Sequence, residues 1–284
     1  MAKLVSPGTH IRLFADDTIL YREIDSLEDQ LILQRDLKQL ETWARDWGMR
    51  FNTAKCHVMS VNKGQHRKAY FYQLNNAVLK SVEQEKYLGV IIHQDMDWRP
   101  HIQAASLKAS QQLGFIKRNL KGCPQELKRL AYLSLVRSSM EYASVIWDPY
   151  EDCDEFLLER TQRKATRWIT GNYDSRSSVT HMMHELKLRP LAERRRINRL
   201  VFMYKILNEH VAVPKDRVDL VLNPRPPRLG KTENQIKHLA PKTPQYKHSF
   251  APRTIIQWNG LPNTVTASVS VPSFRDAVTA HQAP

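Results

Sequence analysis

Between residues 99 and 208, apolar side chains recur every three or four positions in four successive segments. This spacing places them along one face of an α-helix and predicts helices over 99–119, 125–143, 152–170 and 190–208. The stretches "GCP", "WDPY" and "GNYDS" separate these helices, and a shorter helix is predicted near "SSVTHMMHEL". The middle of the chain is therefore predicted to be an all-α bundle.

The first 95 residues have a different pattern. Short runs rich in β-formers predict strands: "LFA", "TILY", "MRFNTAKCHVMSVN", "AYFYQL" and "KYLGVII". Ser26 and Asp29 form a capping-box pattern before a long amphipathic segment that ends at Gly48, which predicts one long helix. The basic stretch "QHRK" is predicted to be a loop. This region is expected to combine a small antiparallel sheet with a helix.

The C-terminal residues differ again, because ten of the 15 prolines lie between 211 and 284. Much of 211–248 is predicted to be a basic, extended linker, followed by a short ordered patch around "SFAPRTIIQWNGLP". The chain is thus expected to be α+β with three regions. These are 1–95, 96–210 and 211–284.

The balance of charge favours a polyanionic partner. The chain has 43 Lys and Arg against 29 Asp and Glu, a net charge of +14. Nucleic acid is favoured over a membrane surface, because neither a membrane-spanning stretch nor a basic amphipathic helix is evident. With no secretory leader and no clear targeting signal, we expect an intracellular protein of the nucleus, the cytoplasm or both.

Two basic stripes on predicted helices are candidates for phosphate contact. The first contains Arg160, Arg163, Lys164 and Arg167, and the second contains Arg189, Arg194, Arg195, Arg196 and Arg199. A single stripe of this kind is usually only a solvated helix face. Two stripes of the same sign on neighbouring helices favour sequence-independent, salt-sensitive binding of a nucleic-acid backbone.

Two adjacent carboxylates, Asp16 and Asp17, lie between the apolar runs "LFA" and "TILY". A two-residue Asp-Asp link fits a tight hairpin, because Asp tolerates the left-handed backbone of such turns. Neighbouring negative charges repel unless a cation neutralises them, and carboxylate oxygens are the ligands that Mg²⁺ prefers. A metal site and an ordinary turn that faces water both remain open at this point.

Several motifs resemble those of reverse transcriptases. In order, "FADDTILY", "WGMRFNTAKC" and "YLGV" resemble three consecutive motifs of a reverse transcriptase palm. The later segments "LVRSSMEYASVIWDPY", "LERTQRKATRWITGNY" and "FAPRTIIQWNGLP" resemble the C-terminal part of polymerases from non-LTR (LINE-type, jockey-like) retrotransposons. The resemblance extends from Ile11 to about Phe274.

The resemblance implies a partial palm, a helical thumb-like bundle and roles for particular residues. Phe14, Ala15, Asp16 and Asp17 match a hairpin whose carboxylates bind two catalytic Mg²⁺ ions. In this family the metals activate the primer 3′-hydroxyl and hold the triphosphate. The implied partners are an RNA template, a DNA primer and deoxynucleoside triphosphates.

Two further segments match positions of the family. Asn52 and Lys55 match an Asn-x-x-Lys motif whose Lys neutralises or protonates the departing pyrophosphate, although Lys55 could equally be a structural cation at a strand edge. Tyr87, Leu88 and Gly89 match the hairpin that grips the primer, and a buried strand ended by glycine explains them almost as well.

One metal ligand of the family has no counterpart at the start of the chain. The family pattern has a further Asp upstream of the hairpin, and none of the ten residues before Ile11 is acidic. We therefore expect a C-terminal polymerase fragment that is inactive alone, with an incompletely covered palm sheet. The alternatives are a non-catalytic remnant that binds RNA–DNA duplex and a relic without selected function.

Overall fold

The structure is a computed structural model that describes residues 4–61, 70–218, 220–221 and 235–281. Of these described residues, 55% are helical and 11% lie in strands, which is compatible with the predicted α+β class. Two compact units are present, Met1–Asp97 (unit 1) and Trp98–Pro284 (unit 2). The predicted loop "QHRK" and the Pro-rich stretch 222–234 lie outside the described residues. Within those residues, no helix is both long enough and apolar enough to cross a membrane.

Unit 1 consists of short strands around one long helix, α1. The elements described in it are β1 (Thr9–Phe14), β2 (Asp17–Arg22), α1 (Leu27–Asp46), a 3₁₀ turn (Thr53–Lys55), β3 (His57–Val58), β4 (Gln73–Leu74), β5 (Ala77–Val78), β6 (Lys80–Ser81), β7 (Gln84–Tyr87) and β8 (Val90–His93). The pairs β1–β2, β4–β5 and β7–β8 are antiparallel hairpins, and β3 pairs with β6 in parallel. Every sheet among these described strands is two-stranded.

The run "KYLGVII", predicted as one strand, is instead most of a hairpin. Leu88 and Gly89 have φ of 46° and 84°, and they connect Tyr87 to its cross-strand partner Val90. Two successive residues with positive φ are the signature of a type I′ turn, whose twist matches that of the flanking strands. An apolar run alone does not reveal such a reversal when only one of the two turn residues is glycine.

The core of unit 1 forms between α1 and the following strands. The predicted capping box is present, since the Ser26 side chain accepts from the Asp29 backbone and the Asp29 carboxylate accepts in return. Tyr72, Leu74 and Leu79 form a buried cluster, and Leu33 and Leu37 are among the α1 side chains packed against it. Helical spacing on α1 therefore produces the apolar face that covers these short strands.

The β1–β2 hairpin keeps part of its apolar surface exposed. Ile11 is buried, but Leu13, Phe14 and Tyr21 are 46%, 64% and 44% exposed. A hairpin normally buries one face against a further strand or helix. These three apolar side chains of the hairpin are therefore accessible to solvent.

The regular elements described in unit 2 are helices, apart from an isolated β-bridge at Ile236. Its longer helices are α2 (Arg99–Asn119), α3 (Gln125–Ala131), α6 (Asp152–Thr170), α7 (Val179–Glu185), α8 (Leu191–Leu207), α10 (Phe250–Asn259) and α12 (Val271–Ala280). Its short helices are α4 (Ser138–Glu141), α5 (Ser144–Trp147), α9 (Pro244–Lys247) and α11 (Asn263–Thr266), with a π-helical segment at Tyr132–Arg137 and a 3₁₀ turn at Lys215–Val218. The bounds of α2, α6 and α8 lie within a residue of those expected from apolar spacing.

Polar contacts fix the helices of unit 2 around α6. The Ser106 hydroxyl on α2 donates to the Leu157 carbonyl (3.1 Å). The Tyr132 hydroxyl, in the π-helical segment, donates to Oε1 of Gln162 (2.9 Å), and both side chains are buried. Burial raises the pKa of Tyr132, so its hydroxyl stays protonated and can donate this hydrogen bond. These bonds hold α6 with one face inward and the other toward solvent.

The C-terminal helices pack more extensively than the short patch expected from sequence. Leu200 and Met203 on α8, Ile255 and Trp258 on α10, and Phe274 on α12 belong to one buried cluster. The cluster continues to α12, well beyond "SFAPRTIIQWNGLP". Prolines inside this stretch do not interrupt it, because those at 244 and 272 lie in the first turn of a helix, where no backbone donor is lost.

Candidate functional site

The Asp16–Asp17 pair lies at the tip of the β1–β2 hairpin. Phe14 pairs with Asp17 across the strands, so the two turn residues are Ala15 and Asp16 rather than the two aspartates. Ala15 has a φ of 52°, and Asp17 is the first residue of β2. This corrects the predicted turn by one position. All four residues from Phe14 to Asp17 are exposed, and both carboxylates are open to solvent.

The base of the hairpin is held by an ion pair to α1. Arg22 on β2 contacts the Asp29 carboxylate at 2.8 Å and donates to the Pro7 carbonyl at 2.7 Å. The hydrogen bond from the Ser26 side chain, followed by that from Arg22, lowers the pKa of Asp29 to about 2. The buried carboxylate of Asp36 accepts from the backbone and hydroxyl of Ser6. The tip therefore projects from a base fixed on both of its strands.

The hairpin offers two hard oxygen ligands for a divalent cation. Within the described residues, no group of three or more His, Cys, Asp or Glu side chains is arranged to hold a metal, so no third acid of these residues joins Asp16 and Asp17 in one. Two carboxylates can supply part of the ligand set of one cation. They are too few to hold the two ions that catalysis requires. The described residues do not fit a complete two-metal site.

Asn52 and Lys55 lie on the 3₁₀ turn that follows α1. Oδ1 of Asn52 accepts from the Ala54 backbone (3.2 Å), and its carbonyl accepts from the Lys55 backbone (3.0 Å). Asn52 thus has a local role as the cap of this turn. Lys55 ends the turn with an exposed side chain.

Tyr87, Leu88 and Gly89 occupy the β7–β8 turn described above. Tyr87 and Leu88 are half-buried, and Gly89 is exposed with φ 84°. A positive φ is readily adopted by glycine and strained for leucine. The predicted site residues of unit 1 are therefore presented by three turns.

The first basic stripe lies on the outward face of α6. Arg160, Arg163 and Lys164 are exposed, and no described carboxylate forms an ion pair with them. Arg167 is half-buried, and its guanidinium donates to the carbonyl of Asp174 (2.8 Å) and, more weakly, to those of Asn172 and Ser177. Three of the four side chains are thus available to an anion, and Arg167 also holds the loop after α6.

The second basic stripe is not a solvated face. Arg194 is paired with Glu141 on α4, and the hydrogen bond that Arg194 donates to the Glu141 carboxylate raises the pKa of Arg194. Arg196 is half-buried and donates to the His281 carbonyl (3.4 Å). Arg195 is 1% exposed. Protein groups engage all three side chains, and nucleic-acid binding by Arg194, Arg195 and Arg196 stays a prediction.

Asp148 is the centre of a buried ion cluster that sequence reasoning missed. Its carboxylate contacts Arg195 at 2.5 Å and Arg253 at 3.2 Å, and it also contacts Arg199. Arg199 is 1% exposed, and burial together with the positive charge of Arg253 lowers its pKa. The cluster joins "WDPY", "RRRINR" and "FAPR", three segments that are far apart in the chain.

One signal for this cluster is present in the sequence. Arg195 and Arg199 follow Leu191 at intervals of four, and Met203 continues the same face of α8. Leu191 and Met203 are both buried. Arginines in register with an apolar stripe face the core, so they require a carboxylate there.

Comparison with known proteins finds a family match in the N-terminal third of the chain. Residues 1–92 match the family model for Reverse transcriptase (RNA-dependent DNA polymerase). This is the region that contains the carboxylate hairpin, the Asn52–Lys55 turn and most of the β7–β8 hairpin.

A curated protein of a retrotransposable element is similar to part of the chain. The chain is 24% identical over 172 residues to a 115 kDa protein in the type-1 retrotransposable element R1DM of Drosophila melanogaster. The alignment covers 58% of this chain and 16% of the relative. No solved structure matches the chain. These two matches support the resemblance to reverse transcriptases of non-LTR retrotransposons that the motifs predict.

Proposed function

We propose that the chain is the C-terminal part of an RNA-directed DNA polymerase of a non-LTR retrotransposon. Residues 1–95 would form a partial palm, 96–210 a thumb-like bundle and 211–284 a C-terminal extension. The observation that carries this proposal is the pair of exposed carboxylates, Asp16 and Asp17, at a hairpin tip inside the region that matches the reverse transcriptase family. An RNA template, a DNA primer and deoxynucleoside triphosphates are the proposed partners.

The two carboxylates would contribute to a Mg²⁺ site that another polypeptide segment completes. Support comes from the donor set, because the described residues offer two acids on one turn and no third beside them. A polymerase of this type positions its substrates around two metal ions, so two ligands are insufficient for synthesis. This chain alone is therefore expected to be inactive.

Primer extension tests this proposal directly. The assay uses the full chain, a DNA primer on an RNA template, Mg²⁺ and the four deoxynucleotides, with Asp16→Asn as the metal-site variant. We expect no extension by either protein. Extension that Asp16→Asn abolishes would show that the chain contains a complete site. Extension that survives Asp16→Asn would refute the assignment of this carboxylate to the metal.

A cation titration tests the hairpin independently of synthesis. Mn²⁺, followed by its electron paramagnetic resonance signal, is expected to bind the chain and to bind Asp16→Asn more weakly. Asp25→Asn is the matched control, because Asp25 is an exposed acid of the same unit. Equal Mn²⁺ binding by all three proteins would remove the hairpin from the metal site.

Nucleic-acid binding without catalysis is a second candidate function. The unpaired cations Arg160, Arg163 and Lys164 on α6 support it. Binding through phosphates releases counterions, so the affinity for an RNA–DNA hybrid should fall steeply as salt rises. Binding without salt dependence, or no binding at low salt, would contradict this function.

A further inference from the structure

The exposed face of α6 forms one wall of a shallow cleft of about 220 Å³. The cleft is lined by Phe156, Arg160, Arg163, Lys164, Arg167 and Val179. None of these lining residues is acidic. Val179, at the start of α7, provides an apolar boundary. The cleft therefore combines four cations with an aromatic ring.

Phe156 lies in the same row of α6 as the cations. Arg160, Arg163 and Arg167 follow it at intervals of four, seven and eleven residues, which places all four on one side of the helix. At a rise of about 1.5 Å per residue, the row is about 16 Å long. The Phe156 side chain is 59% exposed, so its ring is accessible at one end of the row.

Positive charge in the cleft is not neutralised by neighbouring acids. No described carboxylate forms an ion pair with Arg160, Arg163 or Lys164. Burial, and then the charge of Lys164, lower the pKa of Lys117 on the adjacent helix α2. An anion bound in the cleft would favour the charged form of Lys117. The charge of the cleft is thus complementary to phosphate.

The aromatic ring distinguishes between two kinds of nucleic acid. In a duplex, the faces of the bases are stacked inside the helix and only phosphates and groove edges meet a protein surface. In a single strand, the base faces are free to stack on an exposed ring while cations follow the backbone. If the cleft bound only the phosphates of a duplex, the exposed Phe156 ring in its row of cations would have no base face to contact.

We infer that this cleft binds single-stranded nucleic acid, with one base stacked on Phe156 and the adjacent phosphates on Arg160, Arg163 and Lys164. The inference rests on the proposed nucleic-acid binding by α6 and specifies the form of its ligand. Stacking accepts any base, so the binding should show little sequence preference.

The test compares a single-stranded RNA of about 12 nucleotides with a blunt RNA–DNA hybrid, using the full chain. Phe156→Ala should weaken binding of the single strand by about 5- to 100-fold, because one base loses its stacking partner. Binding of the hybrid should change less than twofold. The salt dependence should be unchanged, since no phosphate contact is removed.

A fluorescent base analogue reports the stacking itself. With 2-aminopurine in the single strand, wild-type protein and Phe156→Trp should both change its emission on binding, and Phe156→Ala should not. Phe115→Ala is the matched control, because Phe115 on α2 is 58% exposed and does not line the cleft. It should bind like the wild type.

The outcomes separate this inference from the proposed function. If Phe156→Ala affects neither ligand, or weakens both equally, while Arg163→Gln weakens both, then α6 binds nucleic acid and the stacking inference is wrong. If Arg163→Gln has no effect on either ligand, the proposed binding by α6 also fails. Circular dichroism of each variant checks the fold, which substitution of these exposed side chains should preserve.

Discussion

Replacing Asp148 by asparagine should destabilise unit 2 severely. Among the described residues, Asp148 is the carboxylate that contacts Arg195 and Arg199, and it also contacts Arg253. The substitution keeps the shape of the side chain but removes its charge. The cluster then loses its central negative charge, while Arg253 keeps its contact with the Glu155 carboxylate at 3.9 Å.

The expected loss follows from the burial of this cluster. Asp148 is 6% exposed, and Arg195 and Arg199 are each 1% exposed. Removing one partner of a buried ion pair costs about 3–5 kcal/mol, because the remaining charge has neither water nor a counterion. A typical domain is stable by about 5–15 kcal/mol, so this single change would remove a large part of the free energy of unfolding.

Urea unfolding followed by tryptophan fluorescence measures this loss. Trp147 and Trp258 are both buried in unit 2 and report its transition. With a denaturant slope of about 2–3 kcal/mol per molar urea, the midpoint should fall by about 1–2.5 M. Asp276→Asn, which changes an exposed acid of α12, is the matched control and should shift the free energy by less than about 0.5 kcal/mol.

A double variant tests the electrostatic origin of the effect. Arg199→Met removes one of the unpaired charges and fills much of its volume with an apolar chain. Added to Asp148→Asn, it should cost less than it does in the wild type, or restore stability. The reasoning fails if Asp148→Asn shifts the midpoint no more than Asp276→Asn, or if the two cluster substitutions are strictly additive.

Three further predictions concern the hairpin, α6 and acid stability. Ala15→Gly should stabilise unit 1 by about 1 kcal/mol, because glycine adopts a φ of 52° without strain, and a lower urea midpoint would contradict this. Arg163→Gln should weaken hybrid binding about equally across sequences and reduce the salt slope by about 1, whereas Arg176→Gln, exposed and outside the cleft, should not. Asp29 has a folded pKa of about 2 against an ordinary value of 3.8, so its contribution to stability is present above about pH 4 and is lost as the pH falls toward 2. Asp29→Asn should therefore be destabilised relative to wild type at pH 5 and nearly equal to it near pH 2, and a constant difference across this range would refute that role.

The type of the carboxylate hairpin was predictable from the sequence, but its register was predicted one residue out. Asp16 and Asp17 between two β-forming runs indicate a tight reversal with exposed carboxylates, and both features are present. The turn residues are nevertheless Ala15 and Asp16. A shift of one residue exchanges the faces of a strand, and cross-strand pairing decides between the two registers. The turn preference of aspartate favours both aspartates as the turn residues. The structure instead pairs Phe14 with Asp17 across the strands.

The cations of α6 and α8 differ in how well the local sequence pattern predicts their exposure. On α6, the cations lie on one face and the apolar residues on another. Helical geometry alone therefore predicts that Arg160 and Arg163 are exposed. On α8, Arg195 and Arg199 share a face with buried apolar residues, so their surroundings depend on what packs there. Their partner, Asp148, lies 47 residues before Arg195. No local rule identifies a counterion at that separation.

The sequence by itself determined the elements whose physical cause is local. Helix bounds follow from apolar period and capping, and the row of cations with Phe156 on α6 follows from helical spacing. Only the tertiary structure decided which arginines are buried, that the helices of 244–280 close over α8, and that the described acids do not gather into a complete metal site. Each of these depends on contacts between residues distant in the chain, where the free energy of burial outweighs local preference.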